Sequence, residues 1–532
     1  MDDIRAPLTF RSSSISMLLV GFVALLGFVV LVGYVPTLFP VPPDVTSAAT
    51  ALGYNPSVAF FLAAGWSLVT GVVAYALAGA GHDRQRFETG PRAGSVEIGL
   101  GTVRPRAVIL VAAVVALLYC PPFLARYGPY IEDNILLTVQ HRMLGGQRPF
   151  VDFEFLYGPL MAYSAHGWTK LFGFSLTSFY GYLATLEVLL FSSLTVLVHL
   201  FVRDRAMRWF SLAALGILVF NTLMGPNWSG SRKLLGVAAV VVLCVRPLDI
   251  RYAIAAGVLT GLQLAYSHDF GVAALASVTA VYGFLGMHGR DVTAVRRAAL
   301  TLAVGVGTWF ACSSVLAGPG FESYIAEVLY LGRRFSSGEA GFRFRWTVNS
   351  LAIFALIGLA CAVVGRGLRI GKGRPTARDC LLVGGLAFAL VMLKSGLNRS
   401  DMWHLDAGIL LLVLAFLPRD GRRVFRLDGG VKTVATIIVG AVVTTYAFGL
   451  LPTGSFYASG WMGGLGDVVT GVPNTSPASA ADRIGAEALL VEPERSHPDT
   501  DLLDLSRYLA APQRRDRPVF FYASTYALGI RI

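Results

Sequence analysis

The chain has 532 residues, of which 55% are hydrophobic and only 14% charged, with a formal net charge of +12 and a mean hydropathy of +0.62. Soluble domains carry roughly 25% charged residues, so the composition excludes an ordinary soluble enzyme and specifies a polytopic membrane protein. The positive balance gathers in loops between apolar runs, as in cytoplasmic loops, and does not point to a nucleic-acid partner.

Arg5 and Arg11 precede an apolar run over 15–35. That run is long for a signal-peptide core and no clear A-x-A site follows it, so it reads as an uncleaved first membrane helix. Further apolar runs lie at 57–79, 106–124, 178–202, 209–224, 234–246, 253–267, 271–287, 298–317, 348–365, 380–394, 406–418 and 431–451. The expected fold is an all-α polytopic membrane protein of about 13 transmembrane helices, within a range of about 11–14. The runs 234–246 and 406–418 are short for a span and must draw on polar or protein-lined surroundings.

Basic clusters set the orientation. Arg84, Arg86, Arg92, Arg104 and Arg106 fall between the second and third runs, and Arg203, Arg205 and Arg208 follow the fourth. Arg290, Arg296 and Arg297, then Arg366, Arg369, Lys372, Arg374 and Arg378, then Arg419, Arg422, Arg423 and Arg426 continue the alternation. These segments are expected in the cytoplasm with the N-terminus, and 125–177, 225–233, 267–270, 318–347, 395–405 and the C-terminus outside. The five cysteines lie in or beside apolar runs with no metal-ligand spacing, and read as small buried hydrophobes.

Three regions are expected: N-terminal membrane helices with a basic loop over 1–105, a transmembrane core over 106–451, and an extracytoplasmic C-terminal segment over 452–532. The last contains a helix-like 502–509 and a strand-like PVFFYAS at 518–524, and reads as a small α/β segment with no evident partner for the strand. No internal repeat, P-loop, Rossmann fingerprint, HExxH or GxSxG elbow stands in a persuasive context.

The chemistry is expected in the polar stretch 130–173, YIEDNILLTVQHRMLGGQRPFVDFEFLYGPLMAYSAHGWTKLFG. Glu132, Asp133, Asp152 and Glu154 are carboxylates beside a membrane span, where such groups are costly. A carboxylate there can take a proton from an attacking hydroxyl; the bland reading is four solvated loop charges. Asp152 and Glu154 also suit metal ligation. A later polar segment, KSGLNRSDMWHLDAG at 394–408, holds Lys394, Arg399, Asp401 and His404, a set fitted to an anionic phosphate or to a plain connector. Arg232 and Lys233 sit in NWSGSRKLLG, and His268 with Asp269 in SHDFG. The His-Asp pair reads as a mutual orienting pair, a metal ligand pair or a helix cap. In 318–347, aromatics beside cations fit an interfacial belt better than sugar stacking.

An acidic residue, then LGGQRPFVDFEFLYGPL, then an amphipathic helix ending KLFG resembles the first extracytoplasmic loop of GT-C glycosyltransferases. The resemblance extends over roughly 106–450 as topology, and this chain departs from it in placing two spans before the one that opens the loop. It implies an inverting membrane enzyme that takes a sugar from a polyprenyl-phosphate donor and passes it to an acceptor outside. The abundance of Ala, Gly, Val and Arg suggests a GC-rich bacterial source, so the expected acceptor is a cell-envelope glycan, lipid or protein at the bacterial cytoplasmic membrane. By the same resemblance Asp133 is the first choice for the base, followed by Glu132 and Asp152, and 157–173 is a helix lying on the outer surface. The donor phosphate falls to Arg399, His404, Lys394, Arg232 and Lys233. A Mg2+ or Mn2+ ion is expected as an optional cofactor on Asp133, Asp152, His268 and Asp269. The alternatives are a lipid-linked glycan transporter or flippase, which would put functional charges at membrane depth as Glu187 does, and an O-antigen polymerase or ligase-like enzyme.

Overall fold

A computed structural model describes residues 12–41, 47–80, 103–119, 131–202, 205–219, 232–289, 292–337, 344–370, 375–399, 402–416, 431–448, 518–523 and 526–531. Its helices, in order, are α1 (Ser12–Gly33), α2 (Pro56–Ala80), α3 (Pro105–Leu118), α4 (Ile131–Leu144), α5 (Pro159–Phe172), α6 (Leu176–Phe201), α7 (Arg205–Val219) and α8 (Leu234–Val245). Then come α9 (Ile250–Tyr266), α10 (His268–Gly289), α11 (Val292–Ala317), α12 (Phe321–Ser337), α13 (Val348–Ile370), α14 (Ala377–Arg399), α15 (Asp406–Phe416) and α16 (Val431–Phe448).

Each apolar run of the sequence, where its residues are described, falls on one of these helices. Among the described residues, 8 helical segments are long and apolar enough to cross a membrane: those of α1, α2, α6, α10, α11, α13, α14 and α16. The helices α3, α8 and α15 are apolar but shorter. The protein is thus an all-α polytopic membrane protein in its described core. The segment 318–347, expected as a loop, is largely helix: a Gly-Pro-Gly turn ends α11, and α12 starts at once. At the C-terminal end, β1 (Pro518–Ala523) pairs antiparallel with β2 (Tyr526–Arg531), so the strand that looked unpartnered forms a hairpin with its immediate neighbour. The rest of 452–532 lies outside the described residues.

Local chemistry sets the helix starts. Asn55 Oδ1 accepts from the backbone N–H groups of Ser57 and Val58 at 3.2 Å, with Pro56 at the first helical position of α2. Ser175 caps α6 and Asp249 caps α9 in the same way. Thr376 and Asp379 bond reciprocally across the start of α14, a capping-box arrangement.

Packing groups α1 with α2 and α13, α6 with α3 and α7, α9 with α8, α10 and α11, and α14 with α8, α10 and α15. Water does not drive helices together inside a bilayer, so close backbone approach does. At the α2–α13 crossing, a Cβ added to Gly365 would stand 2.0 Å from the Gly71 carbonyl oxygen. Gly365→Ala is therefore expected to cost about 1–3 kcal/mol through overpacking, read as a lower unfolding temperature in detergent. Gly283→Ala on α10, with nothing within 4 Å of the added carbon, is the control and should not lose stability.

Candidate functional site

Three short helices explain where the polar residues meet. α8 has 12 residues, α9 has 17 and α15 has 11. At 1.5 Å per residue they reach about 18, 26 and 17 Å, against a hydrocarbon core of about 30 Å. Their polar ends meet inside the bundle: Arg232 and Lys233 before α8, Ser267 after α9, His268 and Asp269 opening α10, and Asp406 opening α15.

Arg232 ties two of these ends together. Its Nε donates to Ser267 Oγ at 3.1 Å and its Nη2 to Asp269 Oδ2 at 2.6 Å. Its guanidinium lies 4.5 Å from the Tyr157 ring centroid and 5.2 Å from that of Phe270. Such stacking suits the flat, weakly hydrated guanidinium better than an ammonium. Asp269 Oδ1 accepts from Ser267 Oγ at 2.5 Å and from the Phe270 backbone N–H at 2.9 Å. Its side chain is 33% exposed, so the junction opens at this carboxylate.

Lys233 is the deeper cation. It is buried with Asp406, each side chain 2% exposed, and its Nζ donates to Asp406 Oδ2. The other oxygen, Asp406 Oδ1, is buried with no hydrogen-bond partner among the described residues. Glu187, buried on α6, lies within electrostatic reach of Lys233. Gln263 completes the junction: Nε2 donates to the Arg232 carbonyl at 2.6 Å, and Oε1 accepts from the Gly236 N–H at 2.8 Å. That second bond satisfies an orphan donor in the first turn of α8.

The acidic loop packs over this junction. The Gly158 N–H donates to the Tyr266 carbonyl at 3.2 Å. A Cβ at Gly158 would stand 1.9 Å from the Ala265 carbonyl oxygen, so only glycine allows this approach. Phe150, with φ at 66°, meets the Tyr324 ring of α12 at 5.0 Å. Tyr324 Oη lies 3.4 Å from His268 Nδ1 and accepts from Trp309 Nε1 at 3.1 Å. His268 Nδ1 also faces the Leu264 carbonyl at 3.2 Å. On α5, burial holds His166 below its ordinary pKa, with Lys170 adding to the effect.

The residues singled out from sequence divide accordingly. Arg232, Lys233, His268 and Asp269 come together. His404 sits in the turn Met402–Leu405, directly before Asp406. Lys394 instead donates to Ser57 Oγ of α2 at 3.2 Å and lies over the Phe60 ring. Asp152 is held in its own turn, where Oδ2 accepts from the Arg148 N–H at 2.7 Å. Glu132 and Asp133 lie in the first turn of α4, and Arg399 ends α14; their side chains are outside the described residues, as is Asp401. Asp406, Gln263, Ser267 and Tyr157 were missed, and Tyr324, read from sequence as part of an interfacial belt, instead packs at the junction. A carboxylate opening the apolar run at 406 was the one legible signal among them.

Among the described residues no three His, Cys, Asp or Glu side chains form a group able to hold a metal ion. Asp269 is engaged by Arg232 and Ser267, and Asp152 by its own turn. The side chain of Asp133, the first of the expected ligands, is outside the described residues.

From the junction an apolar groove of about 390 Å³ runs along α6 and α8. Lys233 stands at one end and Val245 and Tyr252 at the other, with Leu194, Leu197 and Val241 between them.

No protein-family model, no curated protein and no solved structure matches this chain. Fold and junction together define a class, an integral membrane protein with a buried polar junction at the head of an apolar groove.

Proposed function

We propose that this protein is a membrane glycosyltransferase of the GT-C kind. It takes a sugar from a polyprenyl-phosphate carrier and passes it to a glycan, lipid or protein of the bacterial cell envelope. The observation that carries this reading is the groove headed by Lys233 and adjoining Arg232. An isoprenoid chain needs a long apolar track, and its phosphate needs cations and helix N-termini at the head. The N-termini of α8, α10 and α15 all adjoin this junction, and the loop that resembles the family's catalytic loop lies over it. In this orientation the basic segments are cytoplasmic and the acidic loop is outside.

The acceptor hydroxyl oxygen attacks the anomeric carbon as the bond to the carrier phosphate breaks. The hydroxyl proton passes to a carboxylate of the loop, for which Asp133 comes first and Glu132 next. Arg232 and Lys233 stabilise the charge that develops on the leaving phosphate.

The test is sugar transfer by the purified protein, wild type beside Ala238→Trp, which fills the groove wall without touching the junction. The wild type should turn over a long-chain donor, and the variant should raise its KM roughly tenfold, the cost of about 60 Å² of lost apolar contact. A short-chain donor should show no difference. Equal KM values for the long-chain donor would remove the groove from the reading, and absence of transfer with every polyprenyl-linked sugar would remove the enzyme.

A transporter or flippase of lipid-linked glycans is the second reading. What favours it is the burial of Glu187, Lys233 and Asp406 at membrane depth, where functional charges of transporters reside. Movement of a lipid-linked sugar across a reconstituted vesicle, with no transfer of that sugar, would select it.

A further inference from the structure

A second cavity lies at the other end of α6 from the acidic loop. α6 has 26 residues, about 39 Å of helix, so this cavity is close to a full bilayer away from the loop end. It measures about 500 Å³ between the start of α3, the last turn of α6 and the start of α7. Arg104, Arg106, Arg205 and Arg208 line it, together with His199 and Trp209, and no carboxylate does so among the described residues.

Several features point to an anion tethered in the bilayer. The N-termini of α3 and α7 both open onto the cavity, so their helix dipoles add to the arginines. Arg208 is fixed by its Nε, which donates to the Val202 carbonyl at 2.6 Å. His199 is buried, with Nδ1 bonded to the Thr195 carbonyl at 2.8 Å, which leaves Nε2 to meet a ligand. Below the cations the wall is apolar. Leu110 is 54% exposed and Trp209 48% exposed on the outer surface of the bundle, where acyl chains would lie. A soluble phosphate has no use for that wall, whereas a lipid uses both parts.

We propose that this cavity binds the phosphate headgroup of an anionic glycerophospholipid, its acyl chains running down past Leu110. Arg104, Arg106 and Arg205 supply the cation field, Arg208 the fixed donor, and Trp209 the interfacial anchor, with His199 lining the wall beside them. The site is independent of the donor groove and does not rest on the proposed reaction.

The experiment uses the full-length protein, delipidated in a neutral detergent. Binding of phosphatidylglycerol, phosphatidylcholine and inorganic phosphate is compared by native mass spectrometry and by unfolding temperature. Phosphatidylglycerol should be retained and should raise the unfolding temperature, while the other two should do neither. A basic residue beside an anionic headgroup corresponds to about a fivefold change in affinity, so Arg104→Gln with Arg205→Gln should weaken binding roughly twenty-five-fold. The matching Arg→Lys pair should retain most of it. Equal retention of phosphatidylcholine by the wild type would overturn the proposal even if the double variant failed to fold. Stabilisation by inorganic phosphate equal to that by phosphatidylglycerol would also overturn it, since the ligand would then be a soluble anion.

Discussion

Lys233→Met is expected to destabilise the protein by about 3–5 kcal/mol, the cost of leaving one partner of a buried ion pair uncompensated. The lysine and Asp406 are each 2% exposed, and the second carboxylate oxygen of Asp406 lacks a partner among the described residues. Removing the ammonium leaves that carboxylate in an apolar interior and takes away the cation that Glu187 also faces. Asp406→Leu should cost a comparable amount, because it strands the lysine instead. The double variant K233M/D406L should recover most of the loss, since well-packed apolar replacements of a buried pair are often neutral or better. Thermal unfolding of the four proteins in one detergent gives the coupling directly. If each single variant lost less than about 1 kcal/mol, the pair would be exposed to water like an ordinary surface bridge.

This pair also shows where sequence reading stops. The apolar runs were legible because a bilayer core imposes length and composition on any helix inside it, and each such run is helical where it is described. The shortness of 234–246 and 406–418 was legible too. Its cause was not: both runs start at charged residues whose partners are distant in the chain. Lys233 and Asp406 are 173 residues apart and Arg232 and Asp269 are 37 apart, and no local pattern encodes either pairing. As sequence, SHDFG and SRKLLG are separate connectors. The fold makes them one junction because α8, α9 and α15 are too short to reach the surface. Lys394 illustrates the reverse case. It lies near His404 and Arg399 in sequence, but the helical rotation of α14 directs it to Ser57 on α2. The loop's approach was legible only through its glycine, since Gly158 permits a backbone contact that no other residue allows.

Asp133→Asn is expected to lower kcat for sugar transfer by roughly 10²–10⁴-fold, the usual contribution of a positioned general base. The amide matches the carboxylate in size and cannot take the acceptor's proton at neutral pH. Donor affinity rests on the groove and the cations of the junction, so KM for the polyprenyl-phosphate sugar should stay within about twofold, the signature of an interaction made only in the transition state. Asp152→Asn is the matched comparison. Asp152 Oδ2 accepts the Arg148 N–H within its own turn, a bond that an amide oxygen also makes, so this variant should keep nearly full turnover. Loss of turnover in Asp152→Asn with retention in Asp133→Asn would exchange their roles. Retention in both would pass the base to Glu132, which neighbours Asp133 in the first turn of α4. A parallel loss of donor binding in Asp133→Asn would mean that the residue holds the loop in place and is not the base. The ratio of the effects on kcat and KM therefore separates chemistry from support, which loss of activity alone does not.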